Sequence, residues 1–262
     1  MTVFVGTSGW QYRDWRGAFY PSGLRQADWL GHYAARFATV EINASFYRLP
    51  DRQRFAAWRA ATPGDFMLCP KISRYLTHMK KLKEPAEPVA RFLEAAGGLG
   101  DRFGPALLQL PPNFPADLER LAAALDEFPS DVRVAVELRH DSWFTEETRA
   151  LLTERRAALC LADRGSRWVS PRWRTAAWGY IRFHEGAGVW PCYGRTALTS
   201  RAGALAELYG PNAEVFAFFN NDPRGCAIRD ARWFAHACAR VGLAPTRTPD
   251  AHEIALQQPD AP

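Results

Sequence analysis

The sequence predicts an α/β fold, a single (β/α)8 barrel of the TIM type over residues 1–243, with one irregular crossover between its sixth and seventh strands. Three observations point there. Eight short apolar runs read as strands, at 3–8, 39–43, 66–71, 106–110, 132–138, 158–163, 179–184 and 214–220. Amphipathic segments of helical period separate most of them, near 25–37, 51–61, 88–102, 116–127, 146–155, 201–209 and 229–241. Alternation of this kind implies parallel strands joined by right-handed crossovers, and eight such units close a barrel. A doubly wound open sheet is the alternative, but no Gly-x-Gly-x-x-Gly follows a strand, which removes its usual dinucleotide signature.

Taken in order, each strand carries apolar residues through its length and polar ones at its end. The first leads into Ser8 and an aromatic loop holding Trp10, Tyr12, Trp15, Phe19 and Tyr20. In the second, alternation puts Glu41 and Asn43 on one face and Val40 and Ile42 on the other. Asp51 then caps a helix. The third ends at Lys71 and opens a long loop, 72–87, carrying His78 and the cluster Lys80, Lys81 and Lys83; the fourth ends at Gln109. The fifth presents Glu137 and Arg139 on one face, followed by His140, and Thr145 caps the next helix. The sixth ends at Asp163. The segment 164–177, with Trp168, Pro171 and Trp173, is too short for a helix with its loops and gives the irregular crossover. The seventh puts Arg182 and His184 on one face before a second long loop, 185–200, and the eighth ends Asn220-Asn221-Asp222. From residue 244 apolar periodicity stops, and 244–262 reads as a frayed tail.

Composition narrows the class. With 262 residues, 47% of them hydrophobic, the chain is globular rather than disordered. It has no apolar run of about 18 residues, so no membrane span or membrane partner is expected, and its first residues read as a strand rather than a signal peptide. Five cysteines, an odd number without a Cys-x-x-Cys, argue against a disulfide framework or a thiolate zinc site and suit a reducing cytoplasm. The net charge of +5 permits a polyanionic partner without establishing one, because 29 of the 33 basic residues are arginine, a bias that genomic composition alone can produce.

In a barrel all the strand ends meet at one mouth. Burying so many ionisable groups without a ligand or water is costly, which favours a wet pocket, although a purely structural ion network accounts for any single member as well. Glu41, Glu137 and His184 are the candidate catalytic groups, with a glutamate as general base and His184 as acid or orienting group. Lys71, Arg139 and Arg182 suit an anion. Ser8, Trp10, Tyr12, Asn43, His78, Gln109, His140, Asp163, Asn220, Asn221 and Asp222 complete the expected binding set, and the aromatic loops offer stacking surfaces or simply a loop core. The expected function is therefore an enzyme, with hydrolysis of a phosphate-containing substrate considered, whose partner is a phosphorylated small ligand or nucleic acid. A carbohydrate-active or metal-dependent barrel and a non-catalytic nucleic-acid or protein-binding module are the alternatives. No metal ligand set is assigned, since no local His-x-x-x-His spacing supports one. Cofactors and protein partners stay unassigned.

The motifs Gly6-Thr-Ser-Gly-Trp-Gln-Tyr12, Val40-Glu-Ile-Asn43 with Phe46-Tyr-Arg48, Leu108-Gln-Leu-Pro-Pro112, Glu137-Leu-Arg-His140 with Trp143, Tyr180-Ile-Arg-Phe-His184 and Phe219-Asn-Asn-Asp222 resemble those of the YecE-like family, a domain of unknown function, from Gly6 to about Val241. The resemblance implies a TIM-type barrel with a pocket lined by these motifs and supplies no reaction. One departure is Glu185, where the family resemblance leads us to expect glycine; it puts the following loop, through Trp190 and Tyr193, in question.

Overall fold

The computed structural model describes residues 1–187 and 191–254. The eight expected strands are all present, as β1 (Thr2–Thr7), β2 (Thr39–Ile42), β3 (Met67–Pro70), β4 (Ala106–Gln109), β5 (Val134–Glu137), β6 (Ala158–Arg164), β8 (Gly179–Phe183) and β9 (Glu214–Phe219). Two short strands join them, β7 (Arg167–Trp168) and β10 (Ala244–Pro245). The helices are α1 (Trp29–Arg36), α2 (Ala44–Tyr47), α3 (Arg52–Ala60), α4 (Ala86–Ala96), α5 (Leu118–Asp126), α6 (Glu146–Glu154), α7 (Arg195–Leu208) and α8 (Cys226–Arg240). Asp51 and Thr145 cap α3 and α6 as expected, accepting from the backbone N–H groups of Arg54 and Thr148. None of the described helices is long and apolar enough to cross a membrane.

The architecture is a mixed α/β fold with a mostly parallel central sheet. Its laddered pairing falls into two pieces, an eight-stranded sheet in the order β10-β1-β9-β8-β6-β5-β4, to which β7 adds beside β6, and a two-stranded sheet of β2 and β3. The expected continuous barrel ladder is interrupted at two seams, and each interruption has a cause. Between β1 and β2, the free edge of β1 is taken by other groups. β10 pairs with Thr2 and Val3, Val5 N donates to Thr246 Oγ1, and Thr7 N donates to the Tyr33 hydroxyl, which itself donates to Thr39 O. Between β3 and β4, Leu68 and Ile72 bond to Gly104 and Leu107, but Pro70 lies between them and has no N–H to donate. Isolated bridges span the two seams, Ser8 with Glu41 at the first, and Leu68 with Phe103 and Lys71 with Leu107 at the second. Gly6 marks the closest approach at the first seam, where a Cβ would sit 2.3 Å from Thr39 O.

Strand alternation sorts the side chains onto two faces. Val3, Val5, Val40, Ile42, Leu68, Leu108, Val134, Val136, Leu159, Leu161, Ile181 and Phe183 meet the helices in the larger core. On the opposite face lies a smaller cluster of Cys69, Leu107, Ala135, Cys160, Tyr180, Phe216 and Phe218. The polar strand ends stand beyond it, so this inner cluster is the floor of the candidate site.

The irregular crossover contains no helix. β7 turns back antiparallel on β6, and Ser170 and Thr175 bond the backbone of Ala162 and Leu159. Three expectations need correction. The segment from residue 244, expected to fray, is held through Ile254 by β10, by an Arg247–Asp65 ion pair and by a capping box at Asp250; backbone pairing needs no apolar periodicity, and residues 255–262 lie outside the described ones. The helices near 201–209 and 229–241 start earlier, at Arg195 and Cys226. Finally, Cys192 and Cys226, expected as free thiols, form a disulfide with a Cα–Cα distance of 4.9 Å, leaving Cys69, Cys160 and Cys238 free and buried.

Candidate functional site

Arg182 is the hub of the inner face. From β8 it donates to both candidate glutamates, NH2 to Glu41 Oε1 at 2.8 Å and NH1 to Glu137 Oε2 at 2.6 Å. The Glu41 Oε2 atom accepts from the Tyr180 hydroxyl at 2.6 Å. Glu137 is fully used. Its Oε1 accepts from Arg139 Nε at 2.9 Å and lies 3.1 Å from His184 Nε2, while Oε2 also accepts from Gln109 Nε2 at 2.7 Å. Four strands, β2, β4, β5 and β8, therefore converge on one network of buried charge. It is satisfied almost throughout, which buried charges require; Arg182 Nε is the one buried nitrogen of the hub without a partner.

Burial by itself would raise the Glu137 carboxyl, but the charges of Arg182, Arg139 and His184 outweigh it and hold the group well below the usual carboxylate range. A carboxylate so stabilised, with both oxygens occupied, is an anchor rather than a base. The sign of its linkage follows. Its folded pKa lies below the ordinary 4.5, so its stabilising contribution is complete above that value and is lost as the pH falls toward the folded pKa. Asp163, Asp222 and Asp230, all raised by burial, act in the opposite sense. Wild-type protein is therefore expected to lose urea resistance between about pH 5 and pH 3 more steeply than Glu137→Gln; equal slopes would remove Glu137 from the acid response.

Lys71 differs from the other cations. It is 6% exposed, and its ammonium has no hydrogen-bond or ion-pair partner among the described residues. Its nitrogen lies 4.0 Å from the centre of the Phe46 ring, a contact that favours the charged form by about 0.5–2 kcal/mol. Burial works against that charge, joined by Arg182 and Arg139 and opposed by Glu41 and Glu137, and pushes Lys71 down to about 7. Its backbone is fixed on both sides, with N donating to Ile42 O and O accepting from Ser45 Oγ at 2.7 Å. Beside it, His78 meets the edge of Phe46 and pairs with Thr77 Oγ1 at 2.9 Å; burial and the neighbouring Lys71 and Arg139 push it down to about 4. Arg139 is half-buried, and its terminal nitrogens donate to nothing among the described residues.

The rest of the expected set divides. Asn43 donates to Ser8 O at 3.0 Å, and Ser8 Oγ and Asn43 Oδ1 are buried without a partner. Tyr12 donates to the same Ser8 carbonyl. Asn220, half-buried, directly follows β9, and its spacing of two from Phe218 places it on the face of Phe216 and Phe218. Others do not join the network. Asp163 faces the helices, where it accepts from Arg201 Nε at 2.6 Å and the Tyr193 hydroxyl at 2.9 Å. Asn221 donates to Asp230 Oδ2 and Pro191 O. The Asp222 carbonyl accepts from Trp15. His140 turns to Ser142 and caps a short 3-10 turn, and Trp10, 3% exposed, packs edge-on against Trp58 in the core. Arg182 belongs to the network, with two of its five N–H donors engaged by Glu41 and Glu137 and its side chain buried. Glu185 is turned toward Arg164, 3.6 Å away, and Trp190 lies outside the described residues. The expected set missed Tyr180, although its spacing of two from Arg182 places it on the same face, and it missed Phe46 as the ring against Lys71. Among the described residues no cluster of His, Cys, Asp and Glu is arranged to hold a metal.

Comparison with known proteins agrees with the motif resemblance. Residues 4–253 match a family described as "Protein of unknown function DUF72". UPF0759 protein YunF of Bacillus subtilis is 24% identical over 151 residues, 55% of this chain and 52% of that protein, so the match spans about half of its length. A DUF72 family protein from Thermotoga maritima superposes with a TM-score of 0.79 at 28% identity, covering 90% of this chain and 98% of the other. One from Enterococcus faecalis gives 0.77 at 19% identity, covering 90% and 95%, and supports the fold alone.

Proposed function

The chain belongs to the DUF72 family of proteins of unknown function, and we propose that it binds a phosphate-bearing small ligand at the mouth where its strand ends meet. One observation carries the reading. Below the mouth the carboxylates of Glu41 and Glu137 are already neutralised by Arg182, while above them Lys71 and the terminal nitrogens of Arg139 carry cationic donors with no anion among the described residues to receive them. Such donors form strong charge-assisted hydrogen bonds to phosphate. Arg182 supports the grip from beneath and does not take part in it. The seam bridges at Ser8–Glu41 and Lys71–Leu107 support reading the two sheets as one closed barrel around this mouth.

Exposed rings favour a ligand with a flat group, such as a nucleotide. Tyr47 is 71% and Tyr75 44% exposed, and the Phe46 ring links Tyr47 to His78 at centroid distances of 5.1 and 4.9 Å. Titrating phosphate and a nucleoside monophosphate by 31P NMR tests the reading. Arg139→Gln and Lys71→Met are each expected to weaken binding on the order of ten-fold or more, and added salt to weaken it further. Binding unchanged in both variants would remove the site.

A further inference from the structure

We propose that Lys71 is the nucleophile of a carbonyl-condensing site, forming a Schiff base with an aldehyde or ketone on the same molecule whose phosphate the mouth holds. The inference rests on the phosphate reading and adds the reacting group.

Placement carries the argument. Lys71 is 6% exposed, its side chain lies beside the polar strand ends, and among the described residues it is tied to no carboxylate, whereas lysines in structural roles normally end in ion pairs or wholly in water. Its backbone is clamped by the bonds to Ile42 and Ser45, so the amine is presented from a rigid strand end. Residue type adds to this. The chain uses arginine for 29 of its 33 basic positions, yet keeps lysine here. Arginine serves an anion better through its planar fork, but it does not lose its proton in proteins and makes no Schiff base; only lysine can be both cation and nucleophile.

The groups around it set the poise. Arg182 from β8 and Arg139 from the end of β5 disfavour a charged amine; Glu41 from β2 and Glu137 from β5 favour it; His78, from the turn after β3, is itself held neutral near pH 7. With burial the largest influence, the amine is brought to about 7, so a large share is unprotonated at neutral pH. The step balances. The Nζ lone pair attacks the carbonyl carbon, the C=O π pair moves onto oxygen, and a proton passing from the nitrogen to that oxygen gives a carbinolamine. That hydroxyl leaves as water, taking the proton the ammonium gave up, and the C=N bond forms as an iminium. No oxidant or reductant is required.

The chain's four lysines, Lys71, Lys80, Lys81 and Lys83, make the test clean. The protein is incubated at pH 7 with pyridoxal phosphate or with pyridoxal, reduced with borohydride, and mapped by peptide mass spectrometry. Pyridoxal phosphate is expected to label Lys71 faster than each of the other three, on the order of ten-fold or more. Lys71→Arg is expected to lose the adduct, because a guanidinium makes no Schiff base. Label confined to Lys80, Lys81 and Lys83 overturns the proposal. If neither probe labels Lys71 while inorganic phosphate still binds in a manner lost in Arg139→Gln, the nucleophile falls and the anion site stands. Labelling of Lys71 by pyridoxal as fast as by pyridoxal phosphate supports the nucleophile and removes the anion grip.

Discussion

Arg182→Met is expected to lower the unfolding free energy by about 3–5 kcal/mol, the cost of leaving buried charge without its partner. The loss will fall unevenly on the two carboxylates. Glu137 keeps Arg139, His184 and Gln109 when the guanidinium is gone. Glu41, 0% exposed, keeps among the described residues only the Tyr180 hydroxyl. Adding Glu41→Gln to Arg182→Met should therefore recover more stability than adding Glu137→Gln, because it removes the charge with less remaining support. Urea denaturation of the wild type, the single variant and the two double variants measures this. Equal recovery by the two glutamines, or a loss under about 1 kcal/mol in the single variant, would show that the network is wet and exchangeable rather than a dry hub. The result bears on function too. If Arg182 holds the floor of the mouth, its removal should weaken phosphate binding less per unit of lost stability than Arg139→Gln, at the residue proposed to hold the phosphate.

How far the site could be read from the sequence depends on parity along the strands. The spacing of two between Glu137 and Arg139, between Arg182 and His184, and between Glu41 and Asn43 is a backbone property, and each pair faces as alternation requires. The same rule, applied strictly, sends Asp163 outward with Leu159 and Leu161, and separates Asn221 from Asn220; grouping residues by strand end alone obscured that. Tyr180 was equally legible from its spacing to Arg182. Other features leave no such pattern. The β1–β2 seam is occupied by a hydroxyl of α1 and by the chain after α8, neither marked by hydrophobic period. Pro70 was visible, but its effect depends on which edge of β3 it faces. What frees Lys71 is an absence: among the described residues no carboxylate pairs with it, which only the folded arrangement can reveal.

Replacing both Cys192 and Cys226 with serine is expected to lower stability by about 3–4 kcal/mol, from the chain entropy that the cross-link removes from the unfolded state. The two cysteines are 34 residues apart and join the loop after β8 to the first turn of α8. The same junction is held without the disulfide. Asp230 accepts from Tyr193 N at 2.6 Å, from Asn221 Nδ2 at 2.7 Å and from Arg229 NH2 at 2.9 Å, and the Tyr193 hydroxyl reaches Asp163. The native loop should therefore keep its position in the double serine variant, and phosphate affinity should change little while the guanidinium midpoint falls. Thiol titration of the denatured, unreduced wild type should return the three free cysteines, Cys69, Cys160 and Cys238. A titre of five would show the pair reduced, and the stability difference should then shrink to that of two conservative substitutions. A fall in phosphate affinity alongside the fall in midpoint would instead make the cross-link a positioning element, since the loop it anchors begins directly after His184, whose ring bonds the carboxylate beneath the mouth.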